Sequence, residues 1–281
     1  DLVIYEAMNI GAGIAASALD IPSAAFSIGM AHGLVEYIHT AARDYHRTAW
    51  TALDRPVPSD VRSFAGMLID PTPPGLLQYG GGDNVVRIPI RPVAYGGTGG
   101  ALPGWLSGPA TRPRVYLTLG TVSFGAVDVL RRAVTEIATL DIDVLVAVGP
   151  QGDPGALGEV AGNVHVERFV AQAQVLDLVE VVVHHGGYGT VLGALAAGLP
   201  QLILPQGADQ FHNARSLVDV GAARALRADE QSPGAIADAV AALLADDAPE
   251  RAVIGRLSDE IAAMPAPADV VPELDRLVAY S

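Results

Sequence analysis

The chain has 281 residues, half of them apolar and 17% charged, with a formal net charge of −14. That length serves one large core or two ordinary domains, the apolar content excludes a disordered tail, and no apolar run is long and unbroken enough to span a bilayer. Cysteine is absent and all 17 basic residues are arginine, which excludes disulfides, thiolate chemistry and every lysine-based mechanism, while the acidic balance disfavours nucleic acid or an anionic membrane as partner.

Asp1-Leu-Val-Ile-Tyr5 reads as a buried strand with no methionine or leader before it, as an interior segment of a longer chain would. An Ala-rich helix is predicted over Met8–Leu19 and a second strand over Ser23–Ile28, announced by Ile21-Pro22. Strand, helix and strand in this order make a β-α-β unit and imply a parallel sheet. A longer helix is expected from about Gly33 to Trp50. Residues 51–111 read as irregular, rich in Pro and Gly, with an isolated strand candidate at Asn84–Pro89 and a linker in the second half.

From Arg112 the alternation becomes regular. Strands are predicted at Val115–Leu119, Val144–Val148, Val164–Val166, Val181–His184, Gln201–Leu204 and Ala223–Leu226. Helical patterns fall at Val127–Leu140, Ala173–Leu178, Tyr188–Ala197, Gln210–Val220 and Pro233–Leu244. Continuous apolar strands such as Val181-Val-Val183 belong in a parallel sheet covered on both faces, so this stretch reads as a doubly wound α/β domain. Met264-Pro-Ala-Pro267 breaks the chain before a last helix at Asp269–Tyr280.

Ligands of a doubly wound sheet gather at the carboxyl ends of its strands, where helix N-termini present unpaired N–H groups. Two Gly-rich turns hold such places: Leu119-Gly-Thr-Val-Ser-Phe-Gly125 and His184-His-Gly-Gly-Tyr-Gly-Thr190. Each combines glycines that admit close approach of an anion with hydroxyl donors, and each is also what tight packing alone would produce. In a chain without lysine these turns and His185 are the natural cradle for a diphosphate.

The longer string decides between them. His184-His-Gly-Gly-Tyr-Gly-Thr190 continues through Ala197-Gly-Leu-Pro-Gln-Leu-Ile-Leu-Pro205 to Gly207-Ala-Asp-Gln-Phe-His-Asn-Ala214. It resembles the nucleotide-sugar signature of inverting GT-B glycosyltransferases, in their bacterial natural-product branch within the UDP-glycosyltransferase-like superfamily. Arg168-Phe-Val-Ala-Gln172 resembles the loop that holds the nucleobase, and Leu119-Gly-Thr121 the first phosphate turn.

The resemblance implies a fold of two Rossmann-like doubly wound parallel-sheet domains, the first incomplete here. Residues 1–91 would be the back half of an N-terminal acceptor-binding domain, 92–111 the linker, 112–264 the C-terminal donor-binding domain, and 265–281 a helix crossing back to the first. His185 would bond the donor diphosphate, with Gly186, Gly187, Gly189 and Thr190 supplying backbone and hydroxyl donors, and Gly120 and Thr121 facing them. Phe169 would lie on the base, unless it is core, and the Val170 backbone would read the base edge. Asp209 and Gln210 would hold sugar hydroxyls, with a helix N-cap as the structural alternative for Asp209.

One departure bears on the donor. Plant and animal relatives place a glutamate for the ribose hydroxyls eight residues after the motif histidine, where this chain has Gly193. Its absence fits a dTDP-sugar better than a UDP-sugar, or else Gly193 serves close packing. The family's mechanism is inversion without a metal or other cofactor. Its histidine base falls upstream of Asp1, and Glu6 stands where the family places the carboxylate that orients that base, although a helix-start acid would sit there too. His32, His39 and His46 lie on or near one helix, without a third close ligand for a metal.

Two motifs are decoys. Gly11-Ala-Gly-Ile-Ala-Ala16 mimics a dinucleotide fingerprint but lacks the acid about 20 residues on. Asp141-Ile-Asp143 mimics a metal-binding Asp-x-Asp but precedes its strand. The expected protein is therefore a cytoplasmic transferase of a sugar or deoxysugar to a hydrophobic polyketide, macrolide or enediyne acceptor, with a homodimer among its allowed states. A nucleotide-sugar epimerase and a non-catalytic nucleotide-sugar-binding subunit are the rival readings.

Overall fold

The computed structural model describes residues 1–30, 43–57, 67–79, 86–94, 102–120 and 127–279. The chain divides into two units, one comprising Asp1–Pro92 with the residues from Ala262 onward, the other Val93–Ile261.

In the first unit, β1 (Val3–Glu6) leads into α1 (Ile10–Ala18) and β2 (Ser23–Phe26). Asn9 starts α1 by accepting the Ala12 N–H on its side-chain oxygen at 3.2 Å, which satisfies one of the helix's unpaired first-turn donors. A Cβ on Gly13 would come within 2.8 Å of the Tyr5 hydroxyl. The glycine of the apparent dinucleotide fingerprint thus lets α1 lie on the Tyr5 ring, a packing role. The helix α2 (Arg43–Ala52) buries His46 and Trp50. Two further strands, β3 (Met67–Asp70) and β4 (Val86–Pro89), complete a four-stranded sheet in the order β1-β2-β3-β4, every described pairing parallel.

Both later strands correct the sequence reading of residues 51–111 as irregular. The Asn84–Pro89 candidate is not isolated, because Val86–Pro89 pairs in register with Met67–Asp70. Met67-Leu-Ile-Asp70 was passed over because four residues carry no periodicity that separates a strand from an apolar loop. Asp70 ends that strand buried at 2% exposure, accepting from the Thr72 hydroxyl at 2.7 Å and pairing with Arg87 at 3.1 Å.

The second unit holds six parallel strands: β5 (Arg114–Thr118), β6 (Asp143–Ala147), β7 (Val164–Glu167), β8 (Val181–His184), β9 (Gln201–Ile203) and β10 (Arg224–Ala225). Between and after them run α3 (Val127–Ile137), α4 (Tyr188–Ala196), α5 (Gln210–Asp219), α6 (Ala235–Leu244), α7 (Glu250–Ala263) and α8 (Pro267–Ala279), the last belonging to the first unit. The predicted Ala173–Leu178 helix is one α-turn over Gln172–Val175 followed by a 3₁₀ turn. The sequence reading did not foresee α7, whose buried Ile254, Leu257 and Ile261 recur at helical spacing within a charged segment.

Alternate residues of the central strands feed two cores. Val115 and Leu117 of β5 pack with Ile137 of α3 and with Ile236, Val240 and Leu243 of α6. Tyr116 faces the other way, beside Leu145, Val175, Val182 and Ala194. Each such fully buried aliphatic side chain contributes about 1.5–3 kcal/mol, so a sheet covered on both faces is the stable outcome of these unbroken apolar strands. Leu106, from the stretch read as a linker, is buried in the second core, and Arg114 fastens that stretch by donating to the carbonyls of Trp105, Leu106 and Gly108 at 2.8–3.4 Å.

The strand order is β10-β9-β8-β5-β6-β7. From β5 the chain builds outward through β6 and β7, then returns to pair β8 on the opposite side. The order therefore reverses between β5 and β8, and a crevice opens beyond their carboxyl ends, where open α/β sheets bind ligands.

Candidate functional site

Thr118 of β5 and His184 of β8 are register partners, so the turns that follow them leave the sheet side by side. Gly120 takes a left-handed φ of +80° just after β5. After β8, Gly186 takes φ +95° and Gly187 stands at the N-cap of α4 with no side chain to cover the helix end. A helix start without a capping side chain in this place carries about half a positive charge.

The His185 ring lies between the two turns. A Cβ on Gly120 would fall 2.6 Å from its Cε1, and a Cβ on Gly187 would collide with its Nε2. Two glycines, 67 residues apart in sequence, thus leave the slot that the Cε1–Nε2 edge of this imidazole fills. Burial pushes the His185 pKa below its ordinary value, against the opposing pull of the Asp209 carboxylate and the Thr118 carbonyl. A cavity of about 510 Å³ opens here, its lining including Gly120, His185, Gly187, Gly189 and Thr190 together with Phe169, Val170 and Gln172. Phe169 is 48% exposed and not part of the core, whereas its neighbour Val170 is buried in it. Thr190 donates its hydroxyl to Gln172 Oε1 at 3.3 Å, tying the first turn of α4 to the Gln172 segment.

Other residues singled out from the sequence stand elsewhere. Thr121 lies outside the described residues, as do His32 and His39. Gly186 does not line the cavity; a Cβ there would come within 2.9 Å of Ile203. Asp209 occupies the N-cap position of α5 without a capping bond, and its Oδ2 instead accepts from Asn213 Nδ2 at 2.8 Å. Gln210 is 5% exposed, its Oε1 taken by the N–H groups of Gln206 and Gly207 at 2.7 and 3.1 Å. Neither Asp209 nor Gln210 is among the residues lining the cavity. Glu6 belongs to the first unit, exposed at the end of β1, where Oε1 accepts the Met8 N–H at 2.6 Å. His46 is buried on α2, which lowers its pKa, and among the described residues no cluster of three His, Asp or Glu could hold a metal.

A layer behind the cavity was not foreseen. His184 is wholly buried; it accepts the Gly186 N–H on Nδ1 at 3.0 Å, so its proton sits on Nε2, 2.9 Å from Gln201 Oε1. Burial and the neighbouring His185 push its pKa down to about 3. Gly193 likewise takes a definite place: a Cβ there would press on Gln172 Nε2 at 3.1 Å and Leu176 Cδ1 at 3.2 Å. The doubled histidine and the glycine spacing carried these signals in the sequence, but nothing there said which groups they would meet.

The chain matches the family model described as erythromycin biosynthesis protein CIII-like, its N-terminal domain over residues 1–120 and its C-terminal domain over residues 131–277. It is 38% identical over 198 residues to the L-demethylnoviosyl transferase of Streptomyces niveus, covering 68% of this chain and 51% of that protein. To the 10-deoxymethynolide desosaminyltransferase of Streptomyces venezuelae it is 36% identical over 215 residues, 75% of this chain and 49% of that one. The chain thus spans about half the length of these relatives. Among solved structures, the spinosyn rhamnosyltransferase SpnG complexed with thymidine diphosphate superposes with a TM-score of 0.80 at 26% identity, over 98% of this chain and 72% of that one.

Proposed function

The chain belongs to the erythromycin biosynthesis protein CIII-like family of GT-B glycosyltransferases, and from that membership we propose that it transfers a deoxysugar, with inversion and without a metal, from a dTDP-sugar to a hydroxyl of a natural-product aglycone. The observation that carries the proposal is the clasped His185 beside the bare N-terminus of α4 at the reversal of strand order. In the reaction the acceptor oxygen attacks the anomeric carbon, the bond from that carbon to the diphosphate breaks, and the hydroxyl proton passes to a base. Negative charge grows on the leaving diphosphate. The α4 amides and the His185 ring meet that charge without reorganising, which is the effect a transition state needs. Phe169 offers a planar face to the base at the mouth of the same cavity.

The donor assignment rests on Gly193. No carboxylate stands there to bond a ribose 2′-hydroxyl, and the space a side chain would need is held by Gln172 and Leu176. A relative that carries thymidine diphosphate agrees with this reading. Isothermal calorimetry should find dTDP bound tighter than UDP by about 10-fold, the scale of discrimination available to one pocket contact. Equal affinities would remove the dTDP assignment.

Glu6 is proposed as the carboxylate that orients the catalytic base. Glu6→Gln keeps an oxygen for the Met8 N–H and removes only the charge. In a protein that carries the histidine base, we expect kcat to fall by about 100-fold, the lower end of general-base effects, with the donor KM unchanged. An unaltered kcat would reduce Glu6 to a turn-capping residue.

A further inference from the structure

Gly186 is held at both of its polar groups. Its N–H donates to His184 Nδ1 at 3.0 Å, and its carbonyl accepts from Asn213 Nδ2 at 2.9 Å. The second hydrogen of the same amide reaches Asp209 Oδ2 at 2.8 Å. Asn213 is 0% exposed and sits one turn into α5, four residues past Asp209. A carboxamide has two donors on one nitrogen, and here they bind the main chain of the glycine turn and the carboxylate at the start of α5. Alanine would strand both acceptors, and a carboxylate would repel Asp209.

We propose that Asn213 is a positioning residue that holds the glycine turn carrying His185 in fixed register with the Asp209 carboxylate, the group that the sequence resemblance assigns to the sugar, so that the phosphate contact and this carboxylate move as one piece. The proposal rests on the donor-site reading given above and adds a residue that touches no donor atom itself. The Asp209 carboxylate makes no capping bond to the α5 backbone and its Oδ2 is held by the Asn213 side chain, so that side chain sets its direction. Gln201 and His184 brace the other side of the turn, and Asn213 ties it to α5 by a hydrogen bond where Gly186 also packs on Gln210.

The test uses Asn213→Ala and the nearly isosteric Asn213→Asp in the full chain, alone and combined with Asp209→Asn. Without nucleotide, hydrogen exchange at residues 185–191 and 206–213 should quicken by about 10-fold or more in both single variants, while β5 and β6 keep their protection. With dTDP and dTDP-glucose as probes, each Asn213 variant should lose affinity for both, and adding Asp209→Asn should cost little further binding of dTDP-glucose. Exchange that rises evenly across the unit, or losses that multiply in the double variant, would overturn the proposal. Should the unsubstituted chain bind neither probe, the donor-site reading falls, and the exchange pattern still decides whether Asn213 ties the turn to α5.

Discussion

Gly187→Ala should abolish nucleotide binding, lowering dTDP affinity by more than about 100-fold, while the chain still folds. The Cε1–Nε2 edge of the His185 ring lies close to both Gly120 and Gly187, so a methyl at 187 must displace the ring. Either the ring leaves the slot or the turn opens, and both take the imidazole away from the α4 amides. Overpacking of this kind costs about 1–3 kcal/mol, and the lost charge-assisted contact adds a similar amount. Gly120→Ala should be as damaging, because its Cβ meets the same ring and its φ of +80° adds about 1–2 kcal/mol of backbone strain. Gly189→Ala supplies the contrast: its Cβ meets no protein atom within 4 Å, so any loss there measures the room the ligand needs. Calorimetric titration with dTDP, paired with a thermal melt of each variant, reads the outcome. Wild-type affinity in Gly187→Ala would show that the ring has another place to go.

The second large effect is on acid stability. His184 is neutral in the folded chain, with its pKa pushed down to about 3 by burial, whereas in the unfolded chain it takes up a proton near its ordinary value of 6.5. Below 6.5 the unfolded state therefore binds more protons. The stability this residue supports is fully present above that pH and drains away as the pH falls toward 3, at about 1.4 kcal/mol per unit. The burial of His46 acts in the same direction. Between pH 6.5 and 4.5, urea unfolding should show a loss of roughly 2–3 kcal/mol attributable to His184. His184→Gln removes the titration, so its stability should fall less steeply over that window even if it starts lower at pH 7. Parallel curves for the two chains would mean that His184 is not the group responsible.

How much of this could be read from residue order follows from what each feature depends on. The central strands were legible, Val181–His184 to the residue, because apolar runs bounded by turns have few other fates in an α/β chain. Met67–Asp70 was not, since its three apolar residues stand in a stretch rich in Pro and Gly and only its pairing with β2 and β4 makes it a strand. The helix over Glu250–Ala263 hid its apolar spacing among Arg, Asp and Glu. At the site, the contiguous stretch from His185 to Thr190 was bound to end up together. The fit of Gly120 against His185, the reach of Asn213 to Gly186, and the pressure of Gln172 and Leu176 on Gly193 all depend on distances between separate elements. Sequence pattern names such residues without showing what they touch, which is also why Gln210 reads as a sugar ligand while its oxygen is spent on its own loop.

The place of β5 in the middle of its sheet bears on how the donor site is assembled in time. Strands β6 and β7 can add to β5 as they follow it along the chain, but β8 must come back to the other edge, and only then does Thr118 acquire His184 as its partner. The intervening loop is long, and its closure entropy must be met before the contact returns anything. During synthesis, a ribosome that has delivered β5, β6 and β7 has made half of the proposed nucleotide site, with His185 still to come. Nucleotide can therefore act as a ligand of the nascent chain only late, once α4 has emerged behind β8.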